Sequence, residues 1–413
     1  MPSTMSENPD QGCSRQDANS PAARYAYAAI VLFAAGGALL IAHVLYENRL
    51  RYQQVGFNDY FKWWSQFNHG LNTWRHGCNY TPFFIVVFAP LARLDRQLAY
   101  WIWQGAQLAA LLAALVLTFG QFQRGAAAKI AVGLGTLVLL SPYLLFGTLY
   151  ESEPTAMLLL LLVGAWALAN HRRPVLAGFM LAVAILLKVY PAVVGGYFLF
   201  RRRFDVIVWS VVWCAVGIVA TGPALWRESL FSGALPYFSA PDWARDERAL
   251  ALLLKVYSAV AALGLTAAQQ ATWAAATYVF LSLCVIALGA WATARSAETV
   301  EVDGICFSLW LIAALLVSPI AWNHELTLTL PLYVFIAAYL TQHREMFPRI
   351  ALLMFLFATL GFVIPYYSTA VRHLHIYFIA LVVEYLAVLM IVHSWSAREH
   401  GFGGATSSEE SSD

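Results

Sequence analysis

From Tyr25 onward the chain is a succession of apolar runs separated by only a few polar residues. The runs occupy residues 25–46, 98–119, 130–149, 154–170, 175–187, 190–200, 205–225, 270–294, 303–321, 325–341, 349–367 and 374–394. A helix of about 20 apolar residues crosses a bilayer with its backbone N–H and C=O groups satisfied internally. Such a chain is expected to fold as an all-α polytopic membrane protein, a bundle of about 12 transmembrane helices. Composition agrees: 60% of the 413 residues are apolar and 12% are charged, against roughly 45–50% and 25% in soluble domains. A soluble enzyme is excluded, and so is a single anchor carrying a large water-borne domain. The net charge of +2 leaves no basic footprint for nucleic acid. The five cysteines (Cys13, Cys78, Cys214, Cys284 and Cys306) show no metal-ligand spacing. Three of them fall inside apolar runs, where a small buried hydrophobe is the expected role.

Residues 1–24 are polar and aperiodic and are expected to form a disordered cytoplasmic tail. No small-residue cleavage site follows the first run, which is read as an uncleaved helix. Residues 396–413 are rich in Gly, Ser and Glu and are expected to form a second disordered cytoplasmic tail, leaving 25–395 as the transmembrane domain. The stretch Tyr80–Leu94, interrupted by Pro82 and Pro90, is short for a span and reads as an interfacial or re-entrant helix. The stretch Pro174–Phe200 is broken at Lys188-Val189-Tyr190-Pro191, because a proline pushes the residue before it out of the helical region. Two short helices meeting at that point form a hairpin.

With the amino terminus inside, the short cytoplasmic loops hold Arg124, Lys129, Arg172, Arg173, Arg201, Arg202, Arg203, Arg295, Arg344 and Arg349, and the short outer connections only Lys188 and Arg372. That bias obeys the positive-inside rule and places both termini in the cytoplasm. Two long outer segments remain, residues 47–97 and 226–269. Their charges escape the rule, and long ordered loops are more often functional than not.

Within the first outer segment the string Gly56–Phe84 contains one acid, Asp59, among Phe57, Tyr60, Phe61, Trp63 and Trp64. An amphipathic interfacial helix with a solvated acid explains this pattern. So does a general base whose pKa is raised by partial burial in an aromatic cradle. Other polar groups fall on the same side: Glu151 and Glu153 in one outer turn, Lys188 at the hairpin tip, and Asn323, His324 and Glu325 at the outer end of a span. Ionisable groups at membrane depth are functional candidates, although each could also be a satisfied helix end or a snorkelling side chain.

Three strings resemble those of glycosyltransferase family 87, formerly a domain of unknown function, which includes polyprenyl-phosphate-mannose-dependent α-1,2-mannosyltransferases. The first runs from Asp59-Tyr60 to Gly77, then Tyr80-Thr81-Pro82-Phe83-Phe84 and Ala89-Pro90-Leu91, and is similar to the family's first-loop signature. Ala182–Phe204 resembles its Lys-x-x-Pro hairpin with a following Arg cluster, and Ser318–His324 its Ser-Pro-Ile-Ser-Trp-x-His turn. The resemblance covers residues 55–340 or so and implies a GT-C-type fold with its catalytic acid at Asp59. The chain departs from the family pattern at Gly147–Glu153, at Glu325 in place of a second histidine, and at Asp246-Glu247-Arg248-Ala249.

The chemistry this resemblance implies is transfer of a hexose, expected to be mannose, to a cell-envelope glycolipid or glycan on the outer face of the plasma (inner) membrane. A polyprenyl-phosphate sugar donor carries its own leaving group, so no metal and no cofactor is expected. A single carboxylate suffices for an inverting displacement, whereas a retaining double displacement needs two. Lys188 and Arg75 are the expected phosphate contacts, with His324 as a hydrogen-bond donor. Tyr60, Tyr80 and the neighbouring rings would pack on the polyprenyl chain of this membrane lipid or on a sugar face. A transporter or flippase of a lipid-linked sugar is the competing class. It would line a path with charged residues, and the duplicated halves that many transporters show are not visible. An envelope-assembly scaffold is the third.

Overall fold

The computed structural model describes residues 55–121, 151–234, 249–296, 299–343, 348–367 and 375–402, and among them every regular element is helical. In chain order the α-helices are α1 (Val55–Asn68), α2 (Pro82–Phe88), α3 (Arg96–Phe119), α4 (Thr155–Asn170), α5 (Pro174–Leu187), α6 (Gly195–Phe200), α7 (Phe204–Thr221), α8 (Pro223–Ser229), α9 (Leu252–Ala261), α10 (Ala267–Arg295), α11 (Val300–Val317), α12 (Leu330–His343), α13 (Arg349–Tyr367) and α14 (Ile376–Phe402). Many starts carry a local cause. Asp95 accepts from the Gln97 and Leu98 N–H groups at the head of α3. Thr81 caps α2 ahead of Pro82, Thr266 forms a capping box on α10, and Thr299 caps α11.

Among the described residues five helices are long and apolar enough to cross a membrane: α3, α7, α10, α11 and the 376–395 part of α14. The expected spans at 25–46 and 130–149, and the tail at 1–24, lie outside the described residues. Tyr80–Leu94 contains only the seven-residue α2 and a 3-10 turn over Ala89–Arg93, too short to cross. The helix break expected at Lys188–Pro191 is present: α5 stops at Leu187, Lys188 is extended, and a 3-10 turn at Tyr190–Val194 leads into α6.

Two expectations differ from the structure. The segment 226–269 is not a plain loop, because α9 lies within it and buries Leu252, Leu253, Leu254, Val256 and Val260. Ten residues are too few to register as a span, yet enough for a helix held by packing. At the carboxyl end α14 runs on to Phe402, past the boundary expected at 396, since Ser396-Ala397-Arg398-Glu399 contains nothing that breaks a helix.

Helix α11 forms the centre of the bundle, with Val302 and every residue from Gly304 to Leu316 buried. The outward faces of α7 and α10 are apolar instead, with Val211, Val219, Phe280 and Leu283 exposed. Such a surface is costly against water and matched to acyl chains. Close packing uses small residues: a Cβ at Gly178 would lie 2.6 Å from Trp209 Cβ, so α5 and α7 touch there only because position 178 is glycine.

The first loop provides a topology test. Cys78 is fully buried, and burial pushes its thiol up to about 12, so it should resist maleimides from either side. Leu71, 53% exposed in the same loop, is the proper reporter. Leu71→Cys in a cysteine-free background should react with a membrane-impermeant maleimide in intact cells or spheroplasts. Labelling only after lysis would reverse the expected sidedness.

Candidate active site

Helix α1 owes its position to aromatic residues recurring along one face. Phe57, Tyr60 and Trp64 are buried there. Tyr60 meets Tyr80 and Phe84 at ring-centroid distances of 5.2 and 5.4 Å, and Trp64 meets Trp103 of α3 at 5.4 Å. Edge-to-face pairs of this kind each contribute about 0.5–1.5 kcal/mol beyond burial. They fix the helix while leaving Asp59 on its open side. Gly56 lets the helix start come close to another segment: a Cβ there would lie 1.9 Å from the Glu151 carbonyl oxygen.

That segment is the turn Glu151–Glu153. Trp103 Nε1 donates to the Ser152 carbonyl and Gln104 Nε2 to its hydroxyl, both at 2.6 Å. The third wall is the turn after α11, where the Leu250 N–H donates to the Ala321 carbonyl at 2.7 Å and Trp322 N–H to Glu325 Oε2 at 3.3 Å.

These segments enclose a cavity of about 880 Å³. Asp59, Tyr60, Tyr80, Glu151, Glu153, Lys188, Asn323 and His324 all line it, so residues from five separate stretches of sequence are brought together there. Val189, Val193, Leu230, Val317, Pro319 and Ile320 give it an apolar side. Arg75 is not brought there: it sits exposed on the 3-10 turn Trp74–His76 and is not among the lining residues. Glu325 is wholly buried behind the wall.

The polar floor is a linked set. Lys188 Nζ pairs with Glu325 Oε1 and lies 3.7 Å from Glu153 Oε2. Its ammonium sits 5.1 Å above the Tyr80 ring centre. Tyr80 donates to Glu153 Oε2, and the Tyr60 and Tyr80 hydroxyls are 2.9 Å apart. His324 Nε2 faces Glu153 Oε1 at 3.6 Å. Burial by itself would raise the Glu153 carboxyl, but His324, Lys188 and the tyrosine hydroxyls together hold it below the usual range. Asp59 shifts the other way: partial burial pushes its carboxyl up, Lys62 opposes this, and the charge of Glu153 adds to the rise. Their surroundings thus shift the two carboxyls in opposite directions.

The sequence reading missed Trp103, Gln104 and Ser152. A signal existed in Gln104 and Gln107, two amides three residues apart within an apolar span and both buried.

Comparison with known proteins bears on this cavity. The sequence model of glycosyltransferase family 87 matches residues 79–319, a stretch containing Tyr80, Glu153 and Lys188, with Asp59 and His324 beyond its two ends. A polyprenol-phosphate-mannose-dependent alpha-(1-2)-phosphatidylinositol mannoside mannosyltransferase of Mycolicibacterium smegmatis is 27% identical over 184 residues. That alignment covers 42% of this chain and 40% of the relative, so the chain matches less than half of the relative's length.

Proposed function

On the premise that the chain belongs to glycosyltransferase family 87, we propose that it transfers mannose from a polyprenyl-phosphate donor to a glycolipid or glycan acceptor. The site faces the outer side of the plasma membrane, within one transmembrane domain spanning residues 25–395. The observation that carries this reading is Asp59 at the rim of a cavity with a polar floor and an apolar side. A lipid-linked sugar needs both surfaces, one for its polar head and one for its chain. The donor polymer is the one named for the mycobacterial relative.

Asp59 acts as the general base, taking the proton from the acceptor hydroxyl as that oxygen attacks the anomeric carbon. The bond from that carbon to the phosphate oxygen breaks in the same displacement, inverting its configuration, and the polyprenyl phosphate leaves with the electron pair. Lys188 is the cation at the phosphate. An ammonium has three protons, so Glu325 and Glu153 leave one for a phosphate oxygen. Val189, Val193 and Ile320 lie where the first isoprene units would pack. A screen of the purified protein with polyprenyl-phosphate mannose, arabinose, glucose and galactose tests this. Mannose is expected to be transferred at least tenfold faster than the others; a preference for another sugar overturns the mannose assignment.

A further inference from the structure

Ser152 holds a φ of 58°, a left-handed conformation disfavoured for any residue with a Cβ. Such outliers persist only where their surroundings over-determine them, and they cluster at functional sites. Here Trp103 and Gln104 grip both the carbonyl and the hydroxyl of Ser152, and Gly56 admits α1 against Glu151. The consequence of this construction is the placement of the next residue, Glu153, on the cavity floor.

The two oxygens of Glu153 face different neighbours. Oε2 accepts from Tyr80 and lies near Lys188. Oε1 faces His324 Nε2 at 3.6 Å, beyond hydrogen-bond range, and that ring nitrogen is buried with no hydrogen-bond partner among the described residues. A neighbouring acceptor and donor that do not meet fit a group able to donate to one and accept from the other. An alcohol does both, whereas a phosphate oxygen only accepts and would leave Glu153 Oε1 without a donor. Trp63 lines the same cavity and offers its ring to the C–H face of a sugar.

We propose that Glu153 and His324 form a hydroxyl-reading pair, a specificity-determining contact to one hydroxyl of a bound sugar. The inference rests on the glycosyltransferase reading of the cavity, and it assigns His324 to the sugar rather than to the phosphate. The sugar belongs to either the donor or the acceptor, and both present the same chemistry.

The test measures kcat/KM for the native substrates and for two series of monodeoxy analogues, one on the donor sugar and one on the terminal acceptor sugar. A site built to hydrogen-bond a hydroxyl rejects the analogue lacking it, so the wild-type protein should disfavour one deoxy compound by roughly 10²-fold or more. In Glu153→Gln that ratio should fall at least tenfold, while the ratios for the other deoxy positions stay unchanged; the series in which it falls identifies the sugar. If Glu153→Gln fails a thermal-shift check, His324→Asn gives the same readout from the other side of the gap. An unchanged set of ratios in a folded, active variant overturns the proposal. Should the wild-type protein transfer no sugar at all, the glycosyltransferase reading fails first. Quenching of tryptophan fluorescence by an alkyl hexoside then decides the pair separately: binding lost in Glu153→Gln supports it, and binding retained overturns it.

Discussion

Replacing Asp59 with asparagine is expected to lower turnover by about 10²–10⁴-fold, the usual cost of removing a general base, with the fold intact. The fold should survive because α1 is held by Phe57, Tyr60 and Trp64 on its buried face, whereas Asp59 is exposed at the cavity rim. The amide keeps the shape of the side chain but cannot take the acceptor's proton. Asp59→Glu should retain only part of the activity, since one added methylene displaces the carboxylate by about 1 Å. The pH profile gives an independent sign. A base works deprotonated, and partial burial raises this carboxyl, so kcat/KM should fall with falling pH on a limb centred above the ordinary carboxylate value of about 4. That limb should be absent from the residual activity of Asp59→Asn. Near-wild-type turnover of the asparagine variant would move the base to Glu151 or Glu153, the other carboxylates that line the cavity.

The largest expected loss of stability follows from Lys188→Met. Glu325 is completely buried and pairs with Lys188, its other oxygen taking the Trp322 N–H. Removing one partner of such a pair typically costs about 3–5 kcal/mol, because the remaining charge is left uncompensated, whereas replacing both by apolar residues is often neutral. Lys188→Met should therefore lower Tm in a thermal-shift measurement, and Lys188→Met combined with Glu325→Leu should recover most of the loss. Donor use should not recover with it. Loss of a charged hydrogen bond to the phosphate raises the barrier by about 1.5–3 kcal/mol in kcat/KM, and the double variant still lacks that cation. A double variant that regains both stability and donor kinetics would make Lys188 a structural partner alone.

The parts of this site that could be read in the sequence are those with a local signature. Apolar run length marks the long helices, a Pro two residues after Tyr190's neighbour Val189 marks the hairpin break, and Asp59 stands out as a lone acid among aromatic residues. Sidedness then places Glu153, Lys188 and His324 at the same end as Asp59. What the sequence does not contain is direction. Arg75 and Lys188 are both basic residues in connections between helices, yet one is exposed on a turn and the other is clamped between carboxylates. The grip of Trp103 and Gln104 on Ser152 joins residues 49 and 48 positions apart, and the Lys188–Glu325 pair joins residues 137 apart. No periodicity encodes such contacts. Helix α9 was hidden for a different reason: ten residues held by tertiary burial have no need of a membrane-length run.

The central claim is that this cavity makes a glycosidic bond with Asp59 as its base. The most direct measurement uses purified protein in nanodiscs, polyprenyl-phosphate mannose labelled in the sugar, and extracted envelope glycolipid as acceptor. Label should appear covalently in the glycolipid with the wild-type protein and fall about 10²–10⁴-fold with Asp59→Asn. Label that enters no glycolipid, or enters it equally with the asparagine variant, would contradict the account.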